Sequence, residues 1–182
     1  STFHTYYMDV VTGAPRYGNT QQGYADDSCW SRGQAWGIYG FLLSYIYTGD
    51  ETMIALSKRL ANYFLNRLPE DYVCHWDLAL VGTDALRDSS SAAIAVCGLL
   101  ELVKHLPVTD PDRERYLEWA KGIMSTLTKH YLMGKEEKGN GLLKHSVYHL
   151  ASNKGVDECA SWGDYFYVEA LVRFTQSWKP YW

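Results

Sequence analysis

Residues 88–107 read DSSSAAIAVCGLLELVKHLP, and this stretch decides the fold class. Residues 89–105 have helical periodicity, Asp88 is a good N-cap before them, and Pro107 follows their end. Their side chains are mostly small or apolar, as expected of a helix that is enclosed on most sides. The next segment, 110–132, begins with an N-cap aspartate and a proline at the first helical position, and it is amphipathic. The two segments predict a helical hairpin with an inner and an outer helix.

The same contrast recurs along the rest of the chain. Further helices are predicted over 31–47, closed by Gly49, over 51–67, with Asp50 as N-cap, and over 162–178. Segments that are poor in charge alternate with segments whose charged residues should face solvent. We therefore predict an all-α fold of helical hairpins in which inner and outer helices alternate. Such a repeat builds either an open solenoid or a closed ring around a cavity, and the spacing does not choose between them.

Composition excludes several classes of protein. The 182 residues are the size of one domain, and 47% hydrophobic content is enough for a core. A net charge of -4 without a basic stripe predicts no nucleic-acid partner. No apolar run approaches the roughly 20 residues needed to span a bilayer, so we expect a soluble protein with no membrane partner. The 4 cysteines are far apart in sequence, which favours reduced thiols over a disulfide framework or a metal site.

The first 29 residues are rich in Gly, Thr, Asn, Gln and Asp and begin with an extended FHTYY stretch at 3–7. We interpret them as a long loop, and a loop of this length is more often functional or displaced from missing context. The chain opens at Ser1 without an initiator methionine, so any signal peptide would lie upstream. Targeting is therefore unreadable, and we favour a cytoplasmic over a periplasmic location.

The stretch WSRGQAWGIYGF at 30–41 is the best candidate for chemistry. An arginine fork binds carboxylates, and tryptophan rings cover the apolar faces of sugars, so Trp30, Arg32 and Trp36 suggest an anionic sugar. The alternative is that Arg32 ties an inter-helix loop and that both tryptophans are core. The RDSSS stretch at 87–91 and the WGD stretch at 162–164 are better explained by capping and packing. No histidine–carboxylate metal set, phosphate loop or nucleophile elbow is present, so we expect no metal.

Several motifs occur in a consistent order over essentially all 182 residues. They are WSRGQAW (30–36) with YGF (39–41), LPED (68–71), HWD (75–77), RDSS (87–90) with CGLLE (97–101), and WGDYFY (162–167) with EAL (169–171). Together they resemble glycoside hydrolase family 88, the unsaturated glucuronyl hydrolases. The resemblance implies a ring of six helical hairpins, an (α/α)6 barrel or toroid. It also implies that this chain is a single-domain fragment from the C-terminal portion, without the N-terminal half.

The activity implied by the resemblance is hydration of the C4=C5 vinyl ether of a terminal 4,5-unsaturated uronic acid, in oligosaccharides of the glycosaminoglycan type. A carboxylic acid protonates the double bond, water adds at C5, and the resulting hemiketal opens and expels the rest of the sugar. No metal or organic cofactor is implied. The family's two key aspartates lie on motifs that are absent here, so we expect the catalytic acid upstream and this chain alone to be inactive.

The resemblance also assigns substrate-binding positions. They are His4, Gln22, Trp30, Arg32, Trp36 and Tyr148, together with Ser152 and Lys154 in a loop that resembles the one by which some members accommodate sulfated disaccharides. Taken alone, His4 and Gln22 are as well explained by structural roles. Many members have histidine where this chain has Gln21.

Two other interpretations stay open at this point. One is a non-catalytic carbohydrate-binding or helical scaffold protein, and the other is a related unsaturated rhamnogalacturonyl hydrolase. Half a ring should also expose the hydrophobic sides of its terminal inner helices. We therefore expect the chain to be accompanied by the N-terminal half of the same protein, or to self-associate.

Overall fold

The structure is a computed structural model that describes residues 1–179. Its helices are α1 (Ser31–Thr48), α2 (Glu51–Leu65), α3 (Ser89–His105), α4 (Pro111–Thr126) and α5 (Ser161–Thr175). A π-helical turn (Leu127–Tyr131) continues α4. Short strands form two antiparallel hairpins, β1 (Thr5–Met8) with β2 (Pro15–Asn19) and β3 (Ser146–His149) with β4 (Lys154–Glu158). The predicted, mostly helical class is confirmed, with two small hairpins added.

Capping side chains set the helix boundaries as predicted. Asp50 accepts the backbone N–H of Thr52, and Asp110 accepts that of Asp112. Asp88 accepts the N–H groups of both Ser90 and Ser91 at the start of α3. Gly49 ends α1 in the left-handed conformation, with φ of 72°, which a residue without a side chain adopts at no steric cost.

Three helices end differently from the prediction. Arg67 and Leu68 after α2 form backbone hydrogen bonds of the tighter i to i−3 kind, because Pro69 disfavours helical backbone in the residue before it. The last predicted turn of α4 is wider than an α-helix and runs to Tyr131. The fifth helix ends at Thr175, since Gln176 is fully extended with φ of -154°.

The predicted extended start of residues 1–29 is confirmed by β1, but the interpretation of the segment as one long loop was wrong, because β2 pairs with β1 within it. The turn between the strands is held by Asp9, whose carboxylate accepts the N–H groups of Val11 and Thr12. Tyr7 and Tyr17 stack across the hairpin with their ring centroids 4.7 Å apart. Both rings are exposed, so the strands lack the alternation of apolar and polar residues by which a strand is recognised.

Helix α3 forms the centre of the core. It packs against α1, α4 and α5, while α2 packs on α1, so the two predicted hairpins are confirmed. The outer helices are joined by Lys58, whose Nζ lies 2.7 Å from Asp110. Among the described residues, α5 has no second helix of its own hairpin.

The sequence disfavoured a disulfide framework and a membrane-spanning protein, and the cysteines and the helix lengths of the structure can be compared with both expectations. All four cysteines are free, and Cys29, Cys74 and Cys97 are buried. Burial raises the pKa of the Cys74 and Cys97 thiols well above its ordinary value, which keeps both protonated. Within residues 1–179, no helix combines the length and the apolar character that crossing a bilayer requires.

Replacing Gly98 by alanine tests the close approach of α1 and α3. A Cβ atom at this position would lie 2.8 Å from a methyl carbon of Ile38 and 3.2 Å from the backbone nitrogen of Tyr39. Gly98→Ala should lower the free energy of unfolding, measured by urea titration, by about 1–2 kcal/mol. The matched control is Gly40→Ala on exposed α1 surface, where nothing lies within 4 Å of the new carbon. It should stabilise the chain by about 0.5–1 kcal/mol; equal effects of the two changes would contradict the predicted packing.

Candidate functional site

The candidate site lies at the N-terminal ends of α1 and α5, where four parts of the chain meet. Trp30 and Arg32 stand at the start of α1, and Trp162 stands at the start of α5. The hairpin β3–β4 contributes Tyr148, and the N-terminal segment contributes His4. Loops before inner helices therefore converge on one end of the helical array.

Arg32 joins several parts of this region by hydrogen bonds. Its Nη1 donates to Asp88 at 3.0 Å and to the carbonyl oxygen of Val147 at 2.7 Å, and its Nη2 donates to the carbonyl oxygen of Tyr148 at 3.0 Å. The guanidinium carbon lies 4.5 Å from the ring centroid of Trp30 and 5.2 Å from that of Trp162. These contacts fit the alternative interpretation, in which Arg32 ties a loop to the inner helices.

The charge of Arg32 is compensated by Asp88, which is fully buried. The Asp88 carboxylate also accepts hydrogen bonds from the hydroxyl groups of Ser90, at 2.6 Å, and Ser91, at 2.7 Å. Burial lowers the pKa of Arg32, and the neighbouring Asp88 opposes this shift. Because an arginine side chain retains its proton in proteins, the guanidinium of Arg32 remains charged.

His4 is held in one tautomer. Its Nδ1 lies 3.2 Å from the backbone nitrogens of both Gln21 and Gln22, so Nδ1 accepts and the proton sits on Nε2. The ring stacks on Trp30 with the centroids 4.3 Å apart. Burial, followed by the positive charges of Arg32 and His149, lowers the pKa of His4. The site therefore presents a neutral imidazole with a donor at Nε2.

The N-terminal segment is fastened to β3 by two polar contacts. Gln22 Nε2 donates to the carbonyl oxygen of Tyr148 at 2.7 Å, the same atom that accepts from Arg32. His149 Nε2 lies 2.7 Å from the carbonyl oxygen of Gln21, and its Nδ1 lies 2.7 Å from the hydroxyl of Ser152. This places Ser152 in the same polar network.

The remaining predicted positions border this cluster. Trp36 follows Arg32 by one turn of α1, is 38% exposed, and meets the ring of Phe166 edge-on at 5.0 Å. The ring of Tyr148 is exposed and lies 5.5 Å from Trp162. Lys154 is exposed on β4 and pairs with His149 in the hairpin register. All eight predicted positions therefore lie in this region, joined by direct contact or by one turn of regular structure.

Two further residues that support the site were missed as such. Asp77 is fully buried and accepts from the N–H groups of Tyr24 and Cys29 and from the hydroxyl of Ser28, which fixes the end of the N-terminal segment. Trp162 covers Arg32, and its buried Nε1 finds no hydrogen-bond acceptor among residues 1–179. Asp77 lies in the HWD motif and Trp162 in the WGD motif. From the sequence alone, local capping and packing already explain the WGD stretch, so the motif does not reveal this role of Trp162.

The described residues contain no group of three or more His, Cys, Asp or Glu side chains that could hold a metal ion. The site is a rim of aromatic rings and neutral donors around a buried arginine. Such a surface suits a flat, hydroxylated ligand, because ring faces cover apolar carbon and donors meet oxygen.

Replacing Asp88 by asparagine should strongly destabilise the chain, because Arg32 would remain buried without a counter-charge. We expect Asp88→Asn to lower the free energy of unfolding in urea by about 3 kcal/mol or more. The control Asp84→Asn, at an exposed position, should stay within about 0.5 kcal/mol of the parent. A loss at Asp88 no larger than at Asp84 would show that the ion pair does not hold the fold.

Lowering the pH should destabilise the chain in part through His4. Because its pKa in the folded chain lies below the ordinary 6.5, the unfolded chain takes up the proton first. The stability due to His4 is thus complete above pH 6.5 and declines as the pH falls from there through the lowered value. Urea midpoints of the parent and of His4→Gln, measured from pH 8 to pH 5, should converge as the pH falls. Burial also lowers the pKa of His75, but His75 is present in both proteins and so does not affect the comparison. Curves that stay parallel from pH 8 to pH 5 would refute the assignment to His4.

Comparison with known proteins places this geometry in a family. No protein-family sequence model matches the chain. It is 50% identical over 183 residues to the unsaturated chondroitin disaccharide hydrolase of Streptococcus pneumoniae, covering 100% of this chain and 46% of that protein. It is 40% identical over 183 residues to the unsaturated glucuronyl hydrolase of Bacillus sp. strain GL1, covering 100% and 48%.

Solved structures give the same result. The crystal structure of unsaturated glucuronyl hydrolase from Streptococcus agalactiae matches with a TM-score of 0.95 at 50% identity, over 100% of this chain and 46% of that one. A mutant of that enzyme complexed with dGlcA-GalNAc6S matches with a TM-score of 0.89 at 50% identity, over 100% and 48%. The chain thus spans about half the length of the relatives it matches. These neighbours are α/α toroids, which decides between ring and solenoid. By sequence and by structure, the chain is homologous over its whole length to about half the length of the unsaturated glucuronyl hydrolases.

Proposed function

We propose that the protein to which this chain belongs is an unsaturated glucuronyl hydrolase. It releases the terminal 4,5-unsaturated uronic acid from glycosaminoglycan-type disaccharides made by polysaccharide lyases. The observation that carries the proposal is the joined cluster of His4, Trp30, Arg32 and Tyr148 in a chain 50% identical to a chondroitin disaccharide hydrolase.

The cluster suits the terminal sugar in three ways. Trp36 offers a partly exposed ring to the pyranose, and Trp30 supports His4 and Arg32 beside it. The Nε2–H of His4 donates to a hydroxyl or a carboxylate oxygen, and because the imidazole is neutral it does so without a charge of its own. Arg32 has most of its donors committed to Asp88 and to β3, so we assign it a second role, in which it holds the Tyr148 strand against the site.

The chemical step requires a carboxylic acid that protonates C4 of the vinyl ether, and a water that then adds at C5. The water gives up a proton as it adds, which restores the carboxylic acid. The hemiketal at C5 then opens by breaking the ring bond between C5 and oxygen, and the hemiacetal left at C1 collapses to an aldehyde and expels the second sugar with its hydroxyl protonated. Near the site, the two fully buried carboxylates of the described chain, Asp77 and Asp88, both accept hydrogen bonds from several donors. Because both carboxylates already serve as acceptors that hold the local fold, we assign the acid to the remainder of the protein.

The hairpin β3–β4 is our candidate for recognition of sulfate. Ser152 lies in the turn between the strands and is bonded to His149, and Lys154 begins β4 with its side chain in solvent. A hydroxyl and an ammonium group at the open edge of the site could meet a sulfate on the second sugar.

The activity is tested with the complete protein by following the loss of vinyl-ether absorbance on unsaturated chondroitin disaccharides. We expect turnover by the complete protein and none by residues 1–182 alone. The absence of turnover on any unsaturated disaccharide would refute the hydrolase. In that case, calorimetric binding without turnover would favour a carbohydrate-binding protein.

Replacing Lys154 by serine in the complete protein should separate sulfated from unsulfated substrates. We expect kcat/KM to fall about tenfold for a 6-sulfated disaccharide, because one charge-assisted contact is lost, and to stay unchanged for the unsulfated one. The control Lys138→Ser, which changes an exposed lysine outside the hairpin, should leave both values unchanged. An equal fall for both substrates would show that Lys154 does not read the sulfate.

A further inference from the structure

His149 joins the N-terminal segment to the turn that carries Ser152. Its Nε2 lies 2.7 Å from the carbonyl oxygen of Gln21, and its Nδ1 lies 2.7 Å from the hydroxyl oxygen of Ser152. Because a carbonyl oxygen only accepts, the ring hydrogen of the neutral imidazole sits on Nε2, and Nδ1 is an acceptor. The hydroxyl of Ser152 is therefore the donor to Nδ1, and its hydrogen is committed to His149.

Protonation of the imidazole reverses the contact with Ser152. Both ring nitrogens of a charged imidazole carry hydrogen, so Nδ1 donates to the Ser152 hydroxyl oxygen while Nε2 keeps its bond to Gln21. The hydroxyl hydrogen then turns toward another acceptor. The carbonyl oxygen of His149 lies 3.5 Å from the hydroxyl, which makes it a weak partner. The charge state of His149 therefore decides whether Ser152 offers a hydrogen to a ligand.

The groups around His149 leave a place for an anion. His4 faces it from the N-terminal segment, and Lys154 lies opposite it in the register of β3 and β4. On β3 itself, the ring of Tyr148 lies 6.4 Å away, and Arg32 of α1 is already paired with the buried carboxylate at the start of α3. Within residues 1–179, no carboxylate forms an ion pair with His149. A charged His149 thus lacks a counter-ion in the described chain, and a sulfate beside Lys154 would supply one.

We infer that His149 controls the affinity of the hairpin β3–β4 for sulfate through its own protonation. This inference rests on the proposed function, in which Ser152 and Lys154 meet a sulfate on the second sugar. A neutral His149 retains the hydrogen of Ser152. A protonated His149 releases that hydrogen to a sulfate oxygen and adds a positive charge beside the anion. Binding of a sulfated disaccharide to the neutral form therefore takes up a proton from solution.

The consequence is a substrate preference that changes with pH. A sulfate ester keeps its negative charge over the range in which histidine side chains titrate, so the imidazole is the partner that changes. The sulfated disaccharide should therefore gain on the unsulfated one as the pH falls. If His149 only fastened Gln21 to the hairpin, its loss would weaken both substrates alike at every pH.

The test measures kcat/KM of the complete protein for a 6-sulfated and an unsulfated unsaturated chondroitin disaccharide from pH 8 to pH 5. The ratio of the two values cancels the chemical step and the titration of His4, which we place at the terminal sugar that both substrates share. We expect the ratio to rise about tenfold as the pH falls, the effect of one hydrogen bond to a charged group. In His149→Asn, whose amide does not titrate, the ratio should not change with pH. The matched control His130→Asn, at an exposed position after α4, should keep the rise of the parent.

A second variant, Ser152→Ala, separates the hydroxyl from the charge of the imidazole. It should lose most of the rise, because the hydrogen that protonation releases is no longer present. Turnover of the unsulfated disaccharide at pH 8 establishes that each variant is folded. If His149→Asn does not pass this check, Ser152→Ala decides.

Three results would overturn the inference: a ratio that stays flat in the parent, a rise in His149→Asn as steep as in the parent, or such a rise in Ser152→Ala. Each of them leaves the hydrolase standing, because the unsulfated disaccharide is still turned over. A complete protein that turns over neither disaccharide refutes the proposed function, and the ratio is then taken from dissociation constants measured by calorimetry over the same pH range. A protein that binds neither disaccharide refutes both.

Discussion

The buried ion pair between Arg32 and Asp88 is the interaction on which the described structure most depends. Their side chains are 4% and 0% exposed, so each has lost nearly all of its hydration. That loss is offset because the pair is embedded in donors and acceptors: Ser90 and Ser91 bind the carboxylate, and carbonyl oxygens of β3 bind the guanidinium. Through this pair the starts of α1 and α3 and the strand β3 become one unit, although they are far apart in sequence.

The side chains of the candidate site are held in place by contacts with this unit. Arg32 and Gln22 both donate to the carbonyl oxygen of Tyr148, one from the inner helix and the other from the N-terminal segment. His4 is fixed in turn by backbone N–H groups of the same segment and by the face of Trp30. Groups that would contact a sugar are thus held before it arrives, which reduces the entropy that binding must remove.

The sequence predicted the helices well and the partners of the polar residues poorly, for a physical reason. Helix starts at Asp50, Asp88 and Asp110 depend on hydrogen bonds within three residues, so local sequence determines them. The partner of Arg32 lies 56 residues away, and only the packing of α1 on α3 brings it there. For the same reason periodicity did not decide whether Arg32 binds a ligand or holds a loop, and the positions proposed to bind substrate come from the family resemblance.

Two buried clusters of charged groups join the inner helices at different levels. At the N-terminal ends, the Asp88 carboxylate at the start of α3 has donors on both oxygens, one of them Arg32 of α1. Farther along, Glu169 of α5 is paired with Arg173, whose guanidinium also bonds to Glu101 of α3. The first cluster therefore bridges α1, α3 and β3, and the second bridges α3 and α5. Because a buried charge is costly unless it is paired, both arrangements favour this packing of the helices over alternatives that would separate the pairs.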